Sequence, residues 1–409
     1  MSKTVCILGA FDTKGLEYAF LREQILSQGA DVVTVNTGVM GSTDLFPVDI
    51  EADEVAAAGG GDLAAIREKK DRGEAMRAMA EGSAALLEKL YADGRFDGVI
   101  GMGGSGGSSV ITAAMRVLPV GVPKLCVSTV ASGETSAFVG AKDVVLFPSI
   151  TDVAGVNRIS QVIFSRAAGA IVGMVSAPMP AEVDDRPIIV ASMFGNTTEC
   201  VDACRVALDA EGYEVLVFHA TGTGGRTMES LIDEGLVDAV LDITTTEWAD
   251  EVCGGMLSAG PDRLSAPGRA GLPHLIAPGC IDMANFGTID SVPEKFRAGR
   301  TLYEWNPAIT LMRTTAEENA QMGKIFAEKA NAASGPVAFL LPLRGVSILD
   351  GDGERFCDRQ ADQAFFDSLK ANLDSGIPVE EIDANINDVE FSNRAVAMML
   401  ELVGQKSPT

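Results

Sequence analysis

The run Gly101-Met-Gly-Gly-Ser-Gly-Gly-Ser-Ser109 follows the apolar segment Phe96-Asp-Gly-Val-Ile100 and precedes the helical pattern Val110–Leu118. Residues with no side chain, or only a hydroxyl, let backbone N–H groups close on phosphate oxygens, and a helix N-terminus adds partial positive charge. The residues singled out for this anion cradle are Gly103, Gly104, Ser105, Gly106, Gly107 and Ser108. Gly101, Gly103 and Gly106 satisfy G-x-G-x-x-G. The acid that a dinucleotide enzyme needs about 20 residues further on is replaced by Lys124-Leu-Cys-Val-Ser-Thr129. A nicotinamide cofactor therefore ranks below a simple nucleotide. The lysine position of a P-loop holds Gly107, so the countercharge must come from elsewhere. Gly9-Ala-Phe-Asp-Thr-Lys-Gly15 supplies a candidate at the end of the first apolar run: Lys14 to neutralise phosphate, Thr13 to donate to it, Asp12 to hold a metal or cap the following helix. The sequence reading puts these three residues on a loop, with the helical pattern running from Leu16 to Leu26.

Other residues carry chemistry with a plainer alternative beside it. Arg72 can reach a phosphate or sit on a solvated helix. Gly195-Asn-Thr-Thr198 suits a smaller anion nest, with Thr197 or Thr198 as a helix cap. His219, at a strand end before Thr221-Gly-Thr-Gly-Gly225, suits a general base or a turn-stabilising hydrogen bond. Asp242 and Glu247 flank a threonine run as paired carboxylates for a metal or proton transfer, or as part of a capping box. Cys280 is a nucleophile candidate, with a buried thiol the favoured reading; Arg344 can clamp a carboxylate or phosphate, or form a surface ion pair.

The elements that must position these residues alternate apolar runs with helical segments, the rhythm of doubly wound, mainly parallel α/β domains. Runs at Val5–Leu8, Val32–Val35, Gly98–Ile100, Lys124–Val127 and Val144–Phe147 build a first nucleotide-binding domain over 1–180, with an insert from Ala52 to Glu81 expected to form helices over the sheet edge. A linker rich in proline spans Ser176–Pro187. A second series, Ile188–Phe194, Glu214–Phe218, Ala239–Ile243, Leu272–Ala277 and Val337–Leu341, builds a Rossmann-like domain over 187–409, with a cleft expected between the two. A chain of 409 residues suits two domains. A net charge of −25 argues against a nucleic-acid partner. The longest apolar stretches, such as Ala167–Ala177, are read as too short and too glycine-broken to span a bilayer, and no leader is expected before the strand at residue 4. Seven scattered cysteines without C-x-x-C suit reduced thiols in the cytoplasm. With only His219 and His274 as imidazoles no metal site is assigned, and a carboxylate-bound Mg²⁺ stays open.

Taken together, the loops Gly9–Gly15, Gly103–Gly107, His219–Arg226, Asp242–Glu247, Leu311–Thr315 and Pro342–Ser347 resemble those of a bacterial and fungal family related to the ATP-binding amino-terminal part of the plant resistance protein against tomato mosaic virus. The resemblance runs from residue 4 to about residue 400. It implies two Rossmann-like subdomains, ATP binding, and self-association as a homodimer or higher oligomer. Carried over by position, it puts nucleotide contacts on Asp12, Thr13, Lys14, Thr37, Arg72 and Gly104–Gly107. The plant relatives continue into a barrel resembling phosphoenolpyruvate hydrolases, so a separate partner of that type is an expectation. Two positions depart from the family pattern: Trp305 in Glu304-Trp-Asn-Pro307 and Asn385 in Asp383-Ala-Asn-Ile-Asn387 stand where histidine is usual. The expected function is an ATP-binding metabolic enzyme acting on a small acid or sugar acid held by the second domain's loops. The alternative is a nucleotide-dependent binding or regulatory module.

Overall fold

A computed structural model describes residues 2–178 and 184–405. Two compact units divide the chain, Met1–Val183 and Asp184–Thr409. Of the linker expected over 176–187, residues 179–183 lie outside the described residues.

The first unit runs β1 (Thr4–Gly9), α1 (Phe11–Ser27), β2 (Asp31–Asn36), α2 (Ala52–Ala58), α3 (Leu63–Lys69), α4 (Arg72–Ala92), β3 (Gly98–Gly103), α5 (Ser105–Arg116), β4 (Lys124–Ser128), α6 (Ser136–Val139), β5 (Val145–Pro148) and α7 (Arg158–Ser176). Its five strands are parallel in the order β2-β1-β3-β4-β5. Alternation along β1 sends Val5 and Ile7 to a core shared with α1 and α7, and Cys6 and Leu8 to a core shared with α2–α5. The helices of the long insert thus join α5 on one face of the sheet rather than covering its edge. α7 is the one described helix long and apolar enough to cross a membrane, and its Phe164, Ala167, Ala168 and Ile171 pack into the core.

The second unit runs β6 (Ile188–Met193), α8 (Thr198–Ala210), β7 (Glu214–His219), α9 (Thr223–Asp233), β8 (Ala239–Thr244), α10 (Thr246–Cys253), α11 (Ala266–Ala270), β9 (His274–Gly279), β10 (Met283–Phe286), α12 (Glu294–Arg297), β11 (Leu302–Asn306), β12 (Ile309–Arg313), α13 (Ala316–Asn331), β13 (Val337–Pro342), α14 (Arg359–Asn372), β14 (Val379–Ile382) and α15 (Val389–Gln405). Its parallel sheet, β14-β13-β9-β8-β6-β7, repeats the 2-1-3-4-5 order of the first unit with one strand added. An antiparallel sheet, β10-β12-β11, is an addition that the strand-and-helix rhythm did not predict. Both units therefore reverse strand order once, beside their first strand. At such a reversal the loops diverge to opposite faces and leave a crevice at the carboxyl ends of the strands.

Candidate functional site

In the first unit the reversal lies between β1 and β3. Their ladder pairs Val5 with Gly98 through Leu8 with Gly101. Beyond it the Tyr18 hydroxyl from α1 enters between the strands, accepting from Met102 N at 2.7 Å and lying 3.1 Å from Leu8 O. A Cβ on Gly9 would fall 1.8 Å from that hydroxyl, so glycine is required where the ring passes. The chain ends spread, and a cavity of about 770 Å³ opens above them.

Two helix N-termini point into this crevice. α5 begins at Ser105 with Gly104 as its N-cap residue, which carries no side chain to accept from the first turn. The N–H groups of that turn have no intrahelical acceptor. The bend is tighter than the sequence suggested: Gly101 and Gly103 belong to β3, while Ser105, Gly106 and Gly107 form the first turn of α5. α1 begins at Phe11 after Ala10, again without a side-chain cap from its own N-cap residue; Asn36 Oδ1 accepts from Phe11 N at 3.1 Å and from Gly38 N at 2.8 Å. Asp12 and Thr13 are therefore helical residues of the first turn rather than a loop, Lys14 sits at a kink in α1 with non-helical backbone angles (φ −131°, ψ 28°), and Asp12 does not cap the helix. Its Oδ2 accepts from Met40 N at 2.9 Å, and its Oδ1 is shielded without a hydrogen-bond partner among the described residues. By contrast, Asp62, Asp71 and Asn157 cap α3, α4 and α7 with their own side chains.

The cations surround the glycine turn. Lys14 lines the crevice and donates to Val153 O. Arg72 opens α4, and a Cβ on Gly106 would meet its Nη2 at 3.6 Å, so the guanidinium stands over the first turn of α5. Arg67 and Lys70 line the same wall. Among the described residues no carboxylate forms an ion pair with any of these four. Thr37, buried after β2, donates its N–H to Gly9 O at 2.8 Å and reaches the crevice floor. Ile66, Met76, Met79 and Val110 make an apolar side to the cavity, and Asp152 closes the far end. Ser108 is turned away: its hydroxyl is buried against Ser128 Oγ at 2.6 Å. The structure thus brings together Asp12, Thr13, Lys14, Thr37, Arg72 and Gly104–Gly107. Arg67, Lys70 and the methionine wall were missed. Their only sequence signal is the basic and methionine-bearing pattern of Ala65–Met79, which becomes a wall only once α3 and α4 fold over α5.

The second unit arranges its strand-end residues differently. Thr197, on the loop after β6, and Thr244, the last residue of β8, join hydroxyls at 2.7 Å across the reversal point. Glu247 Oε1 accepts from Gly222 N at 2.7 Å and Gly225 N at 3.1 Å, so the N-terminus of α9 already holds an anion. Arg263, almost fully buried, binds Glu247 at 2.7 Å, Glu229 at 3.2 Å and both oxygens of Asp242. His274 Nε2 lies 2.9 Å from Asp242 Oδ2. Burial would push the Asp242 carboxyl up, but Arg263 and then His274 hold it well below its ordinary value. Burial also raises the Glu229 carboxyl, against the pull of Arg263. Asp242 and Glu247 are therefore both bound by one arginine. His219 is exposed and tilted against Phe194, with ring centroids 5.3 Å apart; among the described residues it shares no hydrogen bond with either carboxylate. Cys280 is fully buried in a left-handed conformation at φ 59°, and burial followed by Asp282 pushes its thiol well up, away from a nucleophilic thiolate. Arg344 pairs with Asp352 at 2.9 Å on the surface. Trp305 is half exposed on β11, and Asn385 donates to Ser347 O at 3.1 Å.

Deeper in the same unit Arg313 gathers Asp350 at 3.2 Å and Asp362 at 2.7 Å. Asp282 accepts from Ser347 Oγ at 2.9 Å through Oδ2, and its Oδ1 has no hydrogen-bond partner among the described residues. Burial, then the neighbouring Asp350, pushes the Asp282 carboxyl up to about 8.

Residues 3–180 match the N-terminal domain of the uncharacterised protein family UPF0261, and residues 186–403 match its C-terminal domain. The chain belongs to the UPF0261 family. A UPF0261 protein of Clostridium tetani is 46% identical over 98% of this chain and 99% of its own length. The ToMV resistance protein Tm-1 of Solanum lycopersicum is 37% identical over 98% of this chain, which spans 56% of the tomato protein. The family relationship expected from the loops is thus correct. Among solved structures, UDP-N-acetylglucosamine 2-epimerase of Rickettsia bellii is 12% identical with a TM-score of 0.24, covering 67% of this chain and 78% of that one. The ADP-heptose heptosyltransferase II of E. coli is 9% identical with a TM-score of 0.22, covering 99% of this chain and 100% of that one. Likenesses this distant carry nothing about the chemistry of the UPF0261 crevice.

Proposed function

We propose that the first unit binds a purine nucleoside triphosphate, ATP, with its phosphates on the first turn of α5 and its base against the methionine wall. One observation carries this reading: two helix N-termini without side-chain caps meet in one cavity, with Arg72 poised over Gly106 and Lys14 at the opposite helix. A volume of about 770 Å³ suits a nucleotide. N–H groups without intrahelical acceptors and cations without carboxylate partners among the described residues favour a polyanion in one place, and the apolar side favours a flat ring. Asp12 and Asp152 line the cavity and fit the one or two carboxylates that a phosphate-bound Mg²⁺ takes from protein. When bound, ATP would supply a phosphoanhydride; the protein's part is to orient its tail and neutralise it. Calorimetric titration with ATP and Mg²⁺ tests the reading. Lys14→Ala should weaken binding by about 1.5–3 kcal/mol, the usual loss for a hydrogen bond to a charged group. Unchanged affinity would remove Lys14 from the site.

Two readings of the chain as a whole remain. An ATP-dependent enzyme acting on a small molecule predicts substrate-dependent release of ADP or AMP across a metabolite panel. A nucleotide-dependent binding module is favoured by one fact: the second unit's carboxylates Asp242 and Glu247 are engaged by Arg263 rather than free. It predicts ATP binding without steady hydrolysis. Self-association, and a separate barrel partner standing for the part of the tomato proteins beyond the matched 56%, belong to the same proposal.

A further inference from the structure

Beside the crevice of the first unit, the first turns of α1, the loop between β2 and α2 and the loop between β5 and α7 border another cavity, of about 570 Å³. A Cβ on Gly15 would fall 2.7 Å from Thr43 Oγ1, so glycine is required where the first of these loops closes on the helix. Asp12 and Thr13 line both cavities. Three carboxylates line this one, Asp12, Glu17 and Asp44, and none of the described residues in its wall is a lysine or arginine.

Among the three acids Glu17 stands apart. It is only 4% exposed, yet it forms no ion pair among the described residues. Its Oε1 accepts from Gly155 N. Its Oε2 has no partner among the described residues and is not shut off from solvent, so it opens on the cavity that the residue lines. A carboxylate is seldom this buried unless a cation pairs with it, because the lost hydration has to be replaced. Asp242, Glu247 and Asp362, as deeply buried, each meet an arginine. Among the described residues no three acidic, histidine or cysteine side chains converge as a metal site, so the cavity suits a cation larger than a metal ion. Apolar side chains complete the wall: Leu16 is 62% and Leu45 50% exposed.

We propose that this cavity binds a small organic cation, an ammonium or guanidinium group on a short aliphatic stem, with Glu17 and Asp44 as its counter-ions and Leu16 and Leu45 against the stem. A cationic head supplies what the buried carboxylate lacks, and its three to five N–H donors can serve more than one acid. The inference does not rest on a nucleotide in the neighbouring crevice. Its ligand is opposite in charge to the small acid expected on the second unit's loops.

Saturation-transfer NMR on the full chain tests this with butylamine, cadaverine and agmatine as probes, and with 1-butanol and butyrate as the neutral and anionic controls. Salt at about 0.15 M screens the general attraction of cations to a chain of net charge −25. At least one cationic probe should receive transfer and both controls none. Glu17→Gln, which keeps the shape and an acceptor for Gly155 N while deleting the charge, should weaken that binding about 10- to 100-fold, as expected for a lost hydrogen bond to a charged group. Should Glu17→Gln fail to fold, Asp44→Asn at an exposed position should weaken binding about two- to fivefold. Transfer to none of the cations, equal transfer to 1-butanol, or cation binding unchanged by the substitution would overturn the proposal. A parallel titration with a non-hydrolysable ATP analogue separates this site from the crevice. If the analogue does not bind while Glu17-dependent transfer persists, the nucleotide reading fails and the cation site stands.

Discussion

The two units share a strand order and differ in what stands at its reversal. In the first, the N-termini of α1 and α5 lack side-chain caps, and Lys14, Arg67, Lys70 and Arg72 face them without carboxylate partners among the described residues. In the second, Thr197 and Thr244 bridge the reversal point, Glu247 fills the N-terminus of α9, and Arg263 binds three acids at once. The same topology thus yields one reversal point whose helix N-termini lack side-chain caps and another whose helix N-terminus already holds a carboxylate. Topology locates a crevice; the bonding state of its polar groups decides whether a ligand is wanted there.

The largest effect expected from this contrast is at Arg263. Arg263→Ala leaves Asp242, Glu247 and Glu229 buried around a missing cation, and breaking such a cluster costs about 3–5 kcal/mol. Urea denaturation should show that loss; an unchanged midpoint would mean the cluster is not structural. Arg72→Ala should do the reverse, lowering ATP affinity about 10- to 100-fold while leaving the midpoint within about 0.5 kcal/mol, as for most surface substitutions. If Arg72→Ala unfolds the chain instead, the distinction between the units fails.

Gly107→Ala sharpens the contrast further. An added Cβ there meets nothing nearer than Met102 O at 3.9 Å, and the position is helical. Replacing glycine by alanine in a helix should stabilise the free protein by about 0.5–1 kcal/mol. The methyl would also intrude on the crevice that Gly107 lines and weaken ATP binding. Stability and affinity measured on the same variant should therefore move in opposite directions.

The last effect concerns pH. Asp282 has its carboxyl pushed up to about 8 by burial and Asp350, above the value of an unfolded chain. The folded state then holds a proton that the unfolded state releases, so this contribution is complete below about pH 4 and disappears as pH rises through about 8. Stability should decline between those limits by no more than about 1.4 kcal/mol per pH unit for one proton. Asp282→Asn should flatten the decline, which melting curves from pH 5 to 9 would show. An equally steep decline in the variant would assign the proton elsewhere.

The glycine run and the Asp12-Thr13-Lys14 turn were legible because each is local: a run of small residues between a strand and a helix has few other uses. The parallel strands were legible, since short apolar runs closed by Gly, Ser, Thr or Asp mark buried parallel strands, whereas their order was not. The antiparallel β10, β11 and β12 were not, because strands of four or five residues with exposed members such as Glu304 and Trp305 lack a two-residue apolar period. Arg263 was invisible for a different reason. Its three acids come from Glu229, Asp242 and Glu247 on separate elements, and an isolated arginine between Asp262 and Leu264 carries no spacing signal. The same two acids, read as a pair, suggested proton chemistry; only the arginine between them shows that they are occupied.

Hydrogen–deuterium exchange of the full chain with and without ATP and Mg²⁺ puts the contrast to its most direct test. Slowed exchange is predicted at 12–14, 66–76 and 104–110, with 195–198, 221–225 and 244–247 unchanged. Protection confined to the second unit's loops, or none in either unit at saturating ATP, would contradict the account.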